Sequence, residues 1–463
     1  MKLNHQILSS KWSATDSKWH VSIQNLKTGE ILQNSADFLI SAIGRLNQWA
    51  YPNIPGLTDV YEGHLRHSSN WDHEYDYKGK RVAVIGNGAS GMQIVPNILP
   101  IVGHLDHYIR SKVWISPTFR SGFIEASPDN PGGLSYTEAE KQEFEKNPDK
   151  YLAYRRQVES NLHGGFLGSF LGSEENEQTR KSWTKLMHER LGGDEEWLKR
   201  LVPDYAPGCK RPTPAPGYLE ALRDPKTTFH DMPIVRATKT GLVTADGEET
   251  QVDAIIAATG HANAFVPRFP IINHEGVDLQ EKWSTEGPIG FPESYLGIMA
   301  PGFPNYFFIM QANGNGAGAT VPLQCELSAT YIAKAIRKIQ GQSYSSLAPS
   351  ESATDDFNAI VNGYFDDKAF SDDCNSWFKQ GKGNTRNLLA WPGTAHHRLA
   401  VTRDPRWEDF EYTRRKGAER NVFEYFGSGW TERERKLEKH RWVNYLHEVG
   451  KFDLETLHEN WNE

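Results

Sequence analysis

Long apolar runs are missing from this 463-residue chain. No stretch of about 18 apolar residues occurs, so no transmembrane helix is expected. The opening residues, MKLNHQILSSKWSATDSKWHVSI, read as too polar for a secretory signal. Cysteine is scarce: Cys209, Cys325 and Cys374 are the full set, odd in number and far apart. That usage argues against a disulfide framework and points to a reducing, cytoplasmic setting. Charge of one sign is lacking as well. The formal net charge is −8 and no long basic run appears, so no nucleic-acid surface is implied. Neither HExxH nor a paired CxxC occurs, and no metal is expected. Short repeats and low-complexity linkers are absent too. The length suits two or three domains, and nothing in the sequence sets an oligomeric state.

What is present is aromatic residues and glycine turns. Fourteen tryptophans suit either core filling or an apolar ligand. Trp19 to Ile23 alternates like a strand, Asn25 to Glu30 makes a turn, and Ile31 to Leu39 continues the pattern, so the chain opens inside a hairpin. Two later segments echo each other: Asp37–Gly44 reads DFLISAIG and Asp253–Gly260 reads DAIIAATG. Continuous apolar runs of this kind suit parallel strands covered on both faces.

Between them, Lys80–Gly91 reads KRVAVIGNGASG. Val82 to Ile85 is an expected strand, Ala89 to Leu99 an expected helix ended by Pro100, and Leu105 to Ile109 a second strand. Gly86, Gly88 and Gly91 thus form GxGxxG in a strand–turn–helix setting, the context a dinucleotide site requires. Gly86 allows the turn, Gly88 leaves room for a pyrophosphate, and Gly91 lets helix and strand pack. Asn87, Ala89, Ser90, Met92 and Gln93 complete the candidate loop and first helical turn, whose N–H groups favour phosphate. At the end of the second strand stand Arg110, Ser111 and Lys112 instead of a carboxylate. That exchange favours NADP over NAD. A second basic pair, Lys210 and Arg211, lies in a proline-rich loop that composition alone would leave simply exposed. Residues from about 125 to 205 read as a helical insertion, Leu327 to Ile339 as a helix, and Thr431 to Val449 as a terminal helix with capping-box spacing at Thr431 and Glu434.

The stretch Tyr61–Asp72, YEGHLRHSSNWD, offers His64 and His67 as metal ligands only if a helix put them on one face. A different reading accounts for more of it. Together with the GxGxSG that follows, it resembles the Baeyer–Villiger monooxygenase fingerprint FxGxxxHxxxW(P/D). Tyr61 stands for the Phe, and Gly63, His67, Trp71 and Asp72 match. The segment GCKRPTPAPGYLEAL at 208–222, Asp253–Gly260, Cys374–Trp377 and Trp391–Gly393 resemble further family segments. The style is similar to fungal secondary-metabolite members, such as those of sterigmatocystin-type polyketide pathways.

The resemblance implies an α/β flavoprotein with two dinucleotide-binding, Rossmann-like domains and a helical insertion. It implies FAD and NADP as cofactors, and a ketone and O2 as substrates. Arg211 would stabilise the anionic oxygenating species, Lys210 would join Arg110 and Ser111 on the 2′-phosphate, and His67 would be structural. The family's earlier FAD-binding βαβ unit is not found. The expected division is therefore 1–74, a remnant of the FAD domain; 75–261, the NADP domain; and 262–463, the rest of the FAD and substrate domain. A gene model that starts late is the favoured explanation. Two alternatives stay open: a redox-inactive NADP-binding paralogue lacking FAD, and an N- or S-oxygenating relative, which Trp71 disfavours. Substrate choice is expected to reside in the insertion and in loops around 290–325 and 375–395.

Overall fold

The computed structural model describes residues 2–117, 136–261, 265–318, 320–380, 386–418 and 420–436. The chain divides into two compact units, Met1–Lys334 with Ala348–Glu411, and Ala335–Leu347 with Tyr412–Glu463. In the smaller unit Tyr344 packs on Tyr412, with ring centroids 4.6 Å apart. There the expected capping box is present. Thr431 N–H donates to Glu434 at 2.8 Å, and Glu434 N–H donates back to the Thr431 hydroxyl at 3.3 Å. The remainder of that expected helix, 437–449, lies outside the described residues.

The larger unit opens with strands β1 (His5–Ser13), β2 (Lys18–Asn25) and β3 (Ile31–Ala36), paired antiparallel in that order, then a short β4 (Leu39–Ser41). The hairpin matches expectation; β1 does not, since it was not foreseen. Its alternation is broken by a register shift between Ile7 and Ser9, which hides the period in the sequence.

The nucleotide-type unit follows. Its elements are β5 (His64–His67), β6 (Arg81–Ile85), α1 (Ala89–Ile98) and β7 (His104–Tyr108). Helices α2 (Glu138–Lys146), α3 (Pro148–Gly164), α4 (Glu174–Arg190) and α5 (Glu195–Leu201) fill the stretch read as a helical insertion, of which 125–135 lies outside the described residues. Thr137, Ser173 and Asp194 cap α2, α4 and α5 by accepting backbone N–H bonds. Next come α6 (Tyr218–Leu222), β8 (Thr227–His230), the antiparallel trio β9 (Ile234–Ala237), β10 (Gly241–Thr244) and β11 (Glu249–Gln251), and β12 (Ala254–Ala257). One five-stranded sheet collects β5, β12, β6, β7 and β8 in that order, all parallel. Val82, Ala83 and Val84 and all of β12 are fully buried, as continuous apolar runs covered on both faces must be.

Downstream, β13 (Ile271–Ile272) adds in parallel to β1, and α7 (Leu279–Lys282) follows. Strand β14 (Tyr306–Phe308) pairs in parallel with β4. Strand β15 (Asn315–Ala317) leads to α8 (Val321–Gly341). Thus both echoed segments are parallel strands: β12 lies inside a five-stranded sheet, and β4 beside β14.

His107 lies within β7 and is fully buried. Its Nδ1 sits 3.0 Å from the Val84 carbonyl and its Nε2 3.0 Å from the Tyr218 hydroxyl. The neutral ring satisfies both by donating to one and accepting from the other. Burial pulls its pKa from 6.5 down to about 4, with the Val84 carbonyl opposing. The unfolded chain therefore takes up this proton first as pH falls. The stabilisation is complete above pH 6.5 and is lost between 6.5 and 4, a loss of about 3 kcal/mol. His64, His67 and His261, all lowered by burial, act in the same direction. Calorimetry across this window is expected to show a falling thermal midpoint, with a shallower slope in a His107→Asn variant.

Candidate cofactor and catalytic site

The turn after β6 is built by close contacts. Gly86 has φ +103°, a conformation that favours glycine, and a Cβ there would come within 2.6 Å of the Ala258 carbonyl. A Cβ on Gly91 would overlap the Gly86 carbonyl oxygen. Gly88 differs, because nothing lies within 4 Å of where its Cβ would be. Gly88 is the N-cap of α1, makes no side-chain cap, and is followed by a first turn without acidic residues. Open space thus faces uncapped N–H groups, which is what a phosphate needs. Ser90 and Gln93 are exposed, and Ala89 lines the same end. Met92 is not in this group: it is 1% exposed, within the core, and its N–H bonds the Gly88 carbonyl.

The basic side chains gather at the ends of β6 and β7. Asn87 Nδ2 donates to the Ser111 carbonyl at 2.9 Å. Lys210 Nζ donates to the Ser111 hydroxyl at 3.2 Å and lies 5.3 Å over the Tyr205 ring. Burial lowers the Lys210 pKa, and the charge of Arg110 lowers it further. Arg110, Ser111 and Lys210 are therefore neighbours, although a hundred residues separate the first from the last.

The loop carrying Lys210 and Arg211 is anchored at both ends. Beyond it, Tyr218 bonds His107, and Glu220 takes a two-pronged bond from Arg190 at 2.8 Å on each oxygen. Before it, Cys209 is disulfide-bonded to Cys374, their Cα atoms 6.3 Å apart. This corrects the sequence expectation of unpaired cysteines. The 165 residues between them conceal a contact that only the fold creates. Closing a loop that long restricts the unfolded chain by about 5 kcal/mol in the chain-entropy model. Cys325 is free.

Sequence reasoning missed Arg45. It follows the positive-φ Gly44, as His261 follows Gly260, and that parallel was the available signal. Its guanidinium lies 5.6 Å from the ring centroids of both Phe265 and Trp377 and donates to the Met310 carbonyl at 3.4 Å. Burial and then the nearby positive charge of Arg211 pull its pKa down to about 10. Among the described residues no carboxylate forms an ion pair with Arg45 or Arg211.

The fingerprint residues form walls. Tyr61 donates to the Val252 carbonyl at 3.0 Å, and its phenol fills the place a Cβ on Gly63 would occupy. His64 and His67 lie on a strand three residues apart, so they do not share a face. His67 is fully buried, stacks on Trp49 with centroids 5.0 Å apart, and accepts the Ser69 N–H at 3.1 Å through Nδ1. Trp71 packs on Tyr77 at 5.4 Å, against the core below the nucleotide-type sheet. Asp72 pairs with Arg66 at 3.0 Å and accepts the Glu74 N–H at 3.1 Å. That backbone bond is the largest cause holding its carboxyl below the usual range.

A second polar region surrounds the start of α8. Arg398 is fully buried and donates to the Gln324 side chain at 2.7 Å and to Ser328 at 2.8 Å. Burial pulls it down to about 10. The Arg398 Nε, Gln324 Nε2 and Asn313 Oδ1 atoms are buried with no hydrogen-bond partner among the described residues. Gly44 and Gly260, both at positive φ, open onto empty space.

No family model matches the chain. Known relatives do. It is 30% identical over 469 residues to the FAD-binding monooxygenase moxY of Dothistroma septosporum, covering 100% of this chain and 71% of that protein. It is 31% identical over 440 residues to the FAD-binding monooxygenase stcW of Emericella nidulans, covering 93% and 70%. Against a Baeyer–Villiger monooxygenase of Pseudomonas aeruginosa the identity is 32% over 403 residues, covering 87% and 72%. The fold matches the crystal structure of OTEMO in complex with FAD and NADP, with a TM-score of 0.72, 23% identity and coverage of 89% and 81%. Cyclohexanone monooxygenase from Rhodococcus sp. Phi1, bound to NADP+, gives 0.72, 21%, 89% and 80%. The class is that of FAD-binding monooxygenases built on two dinucleotide-binding folds. Within it, the chain belongs to the Baeyer–Villiger monooxygenase family.

Two glycine substitutions separate packing from open space. Gly63→Ala is expected to lose about 2 kcal/mol in urea unfolding, because the Tyr61 ring must move. Gly88→Ala is expected to stay within about 0.5 kcal/mol of the parent.

Proposed function

We propose that the chain is an NADPH-dependent Baeyer–Villiger monooxygenase that uses FAD and O2 to convert a ketone into an ester or lactone. The balance is ketone, O2, NADPH and a proton giving ester, NADP+ and water. The observation that carries this reading is the pair Arg45 and Arg211. The charge of Arg211 acts on the buried Arg45, no carboxylate pairs with either among the described residues, and Lys210, beside Arg211, reaches the Ser111 hydroxyl. Such a pair suits an anion that develops during the reaction.

The residues present fit NADP. Gly88 and the first turn of α1 would take the pyrophosphate, and Arg110, Ser111 and Lys210 the 2′-phosphate. They also fit the polar end of FAD, since the unpartnered atoms of Asn313, Gln324 and Arg398 offer two donors and an acceptor. FAD, when bound and reduced by NADPH, would supply the oxygen-activating chemistry. Arg211 and Arg45 would hold the negative charge that develops in the reaction. His67 and Trp71 wall the nucleotide unit, and His67, buried, stacked on Trp49 and accepting the Ser69 N–H, has a structural role.

The relatives moxY and stcW are FAD-binding monooxygenases, and the setting proposed for this chain is fungal secondary metabolism with a polyketide-like ketone. No helix among the described residues is long and apolar enough to cross a membrane. We assign a cytoplasmic location, where NADPH is supplied, testable by fractionating cells that express the tagged chain.

The test is direct. The purified chain is supplied with FAD, NADPH and a ketone panel under 18O2, alongside amines and sulfides. Ester carrying one labelled oxygen is expected; oxygenation of amines or sulfides alone overturns the reading. Arg211→Ala is expected to cut ester formation about 100-fold while leaving the NADP+ Kd within about twofold. Lys210→Ala is expected to weaken NADP+ about tenfold and leave NAD+ unchanged, as measured by calorimetric titration.

A further inference from the structure

The disulfide meets the basic pair directly, since Cys209 immediately precedes Lys210 and Arg211. Cys209 is fully buried and Cys374 is 7% exposed. The junction is braced by its neighbours. Asp372 accepts the Ala206 N–H at 2.5 Å, and the Lys379 ammonium bonds the Asp372 carbonyl and lies 3.7 Å from the Cys209 sulfur. Three residues past Cys374, Trp377 lies under the Arg45 guanidinium. One short segment, 372–379, therefore holds the Arg211 loop by a covalent bond and Arg45 by a ring. The loop's other ties lie to either side of Arg211: Asn176 holds the Pro207 carbonyl, Lys210 reaches Ser111, and Ser116 N–H and Arg190 hold the Thr213, Pro214 and Ala215 carbonyls. Arg211 itself is exposed, and Gly208, at φ +95°, stands just before Cys209.

We propose that the Cys209–Cys374 bond is a positioning device for Lys210 and Arg211, and that a dithiol reductant releases it. The catalytic consequence rests on the function proposed above. The step is thiol–disulfide exchange. A thiolate of the reductant attacks the sulfur of Cys374, the more exposed partner. The Cys209–Cys374 bond breaks, and Cys209 leaves as a thiolate beside the Lys379 ammonium. The second thiol of the reductant then displaces Cys374. Two electrons and two protons reach the chain, giving two thiols, and the reductant ends as a disulfide.

The test begins with a non-reduced proteolytic digest of the chain purified without reductant. Mass spectrometry is expected to find the peptides of Cys209 and Cys374 joined. Treating the intact chain with dithiothreitol, and separately making Cys374→Ser, is expected to speed hydrogen exchange at 208–212 and raise the NADP+ Kd about threefold to tenfold. In the flavin-loaded enzyme the ester formed per NADPH oxidised is expected to fall, with NADPH oxidation continuing. Dithiothreitol acts on the already folded chain, so the proposal is tested even if Cys374→Ser fails to fold. Separate peptides in the first digest overturn the proposal. So does a joined pair whose reduction leaves exchange at 208–212 and NADP+ affinity unchanged. If no ketone is oxygenated but reduction still loosens 208–212 and weakens NADP+, the oxygenation reading fails and the tether stands.

Discussion

The approach of Gly91 to the carbonyl of Gly86 sets the rest of the site. Without a side chain at either position, α1 begins directly against the end of β6, and the Ala258 backbone lies close behind. This contact fixes where the first-turn N–H groups point. It also fixes the distance from that turn to the end of β7, where Ser111 receives both Asn87 and Lys210. A larger residue would push the helix outward and break that meeting point. In the proposed site, the charges of Arg110 and Lys210 would serve only because the helix start is already in place.

Much of this was legible in the residues. The parallel strands, the glycine turn and the helical insertion follow from apolar runs, glycine spacing and capping residues. The family followed from Gly63, His67, Trp71 and Asp72 standing just before GxGxSG, and from the later segments that agree with them. The first strand was not legible, because its bulge scrambles the period. Nor could the sequence say what Tyr218 and Glu220 do. They bond to His107 and Arg190, partners chosen by tertiary packing and lying far off in the chain. Met92 fell within the motif window, yet the turn of α1 directs it into the core.

The cysteines make the same point in chemical terms. Composition weighs thiols by number and spacing, and three scattered residues suggest none is paired. The fold weighs them by distance. Arg45 was overlooked for a related reason. A lone arginine after a glycine carries no code by itself, and its meaning comes from Phe265, Trp377 and Arg211 around it.

Strand β12 pairs with β5 on one edge and β6 on the other, so Ala257 has His67 on one side and Ile85 on the other. The fingerprint and the glycine turn are thus two rungs apart on one ladder, about 10 Å. Along the chain they are separate motifs; in space they share a wall. A substitution that widens one rung must be answered at the next. The two motifs are thus coupled through the fully buried Ala257, and a bulkier residue there would displace both at once.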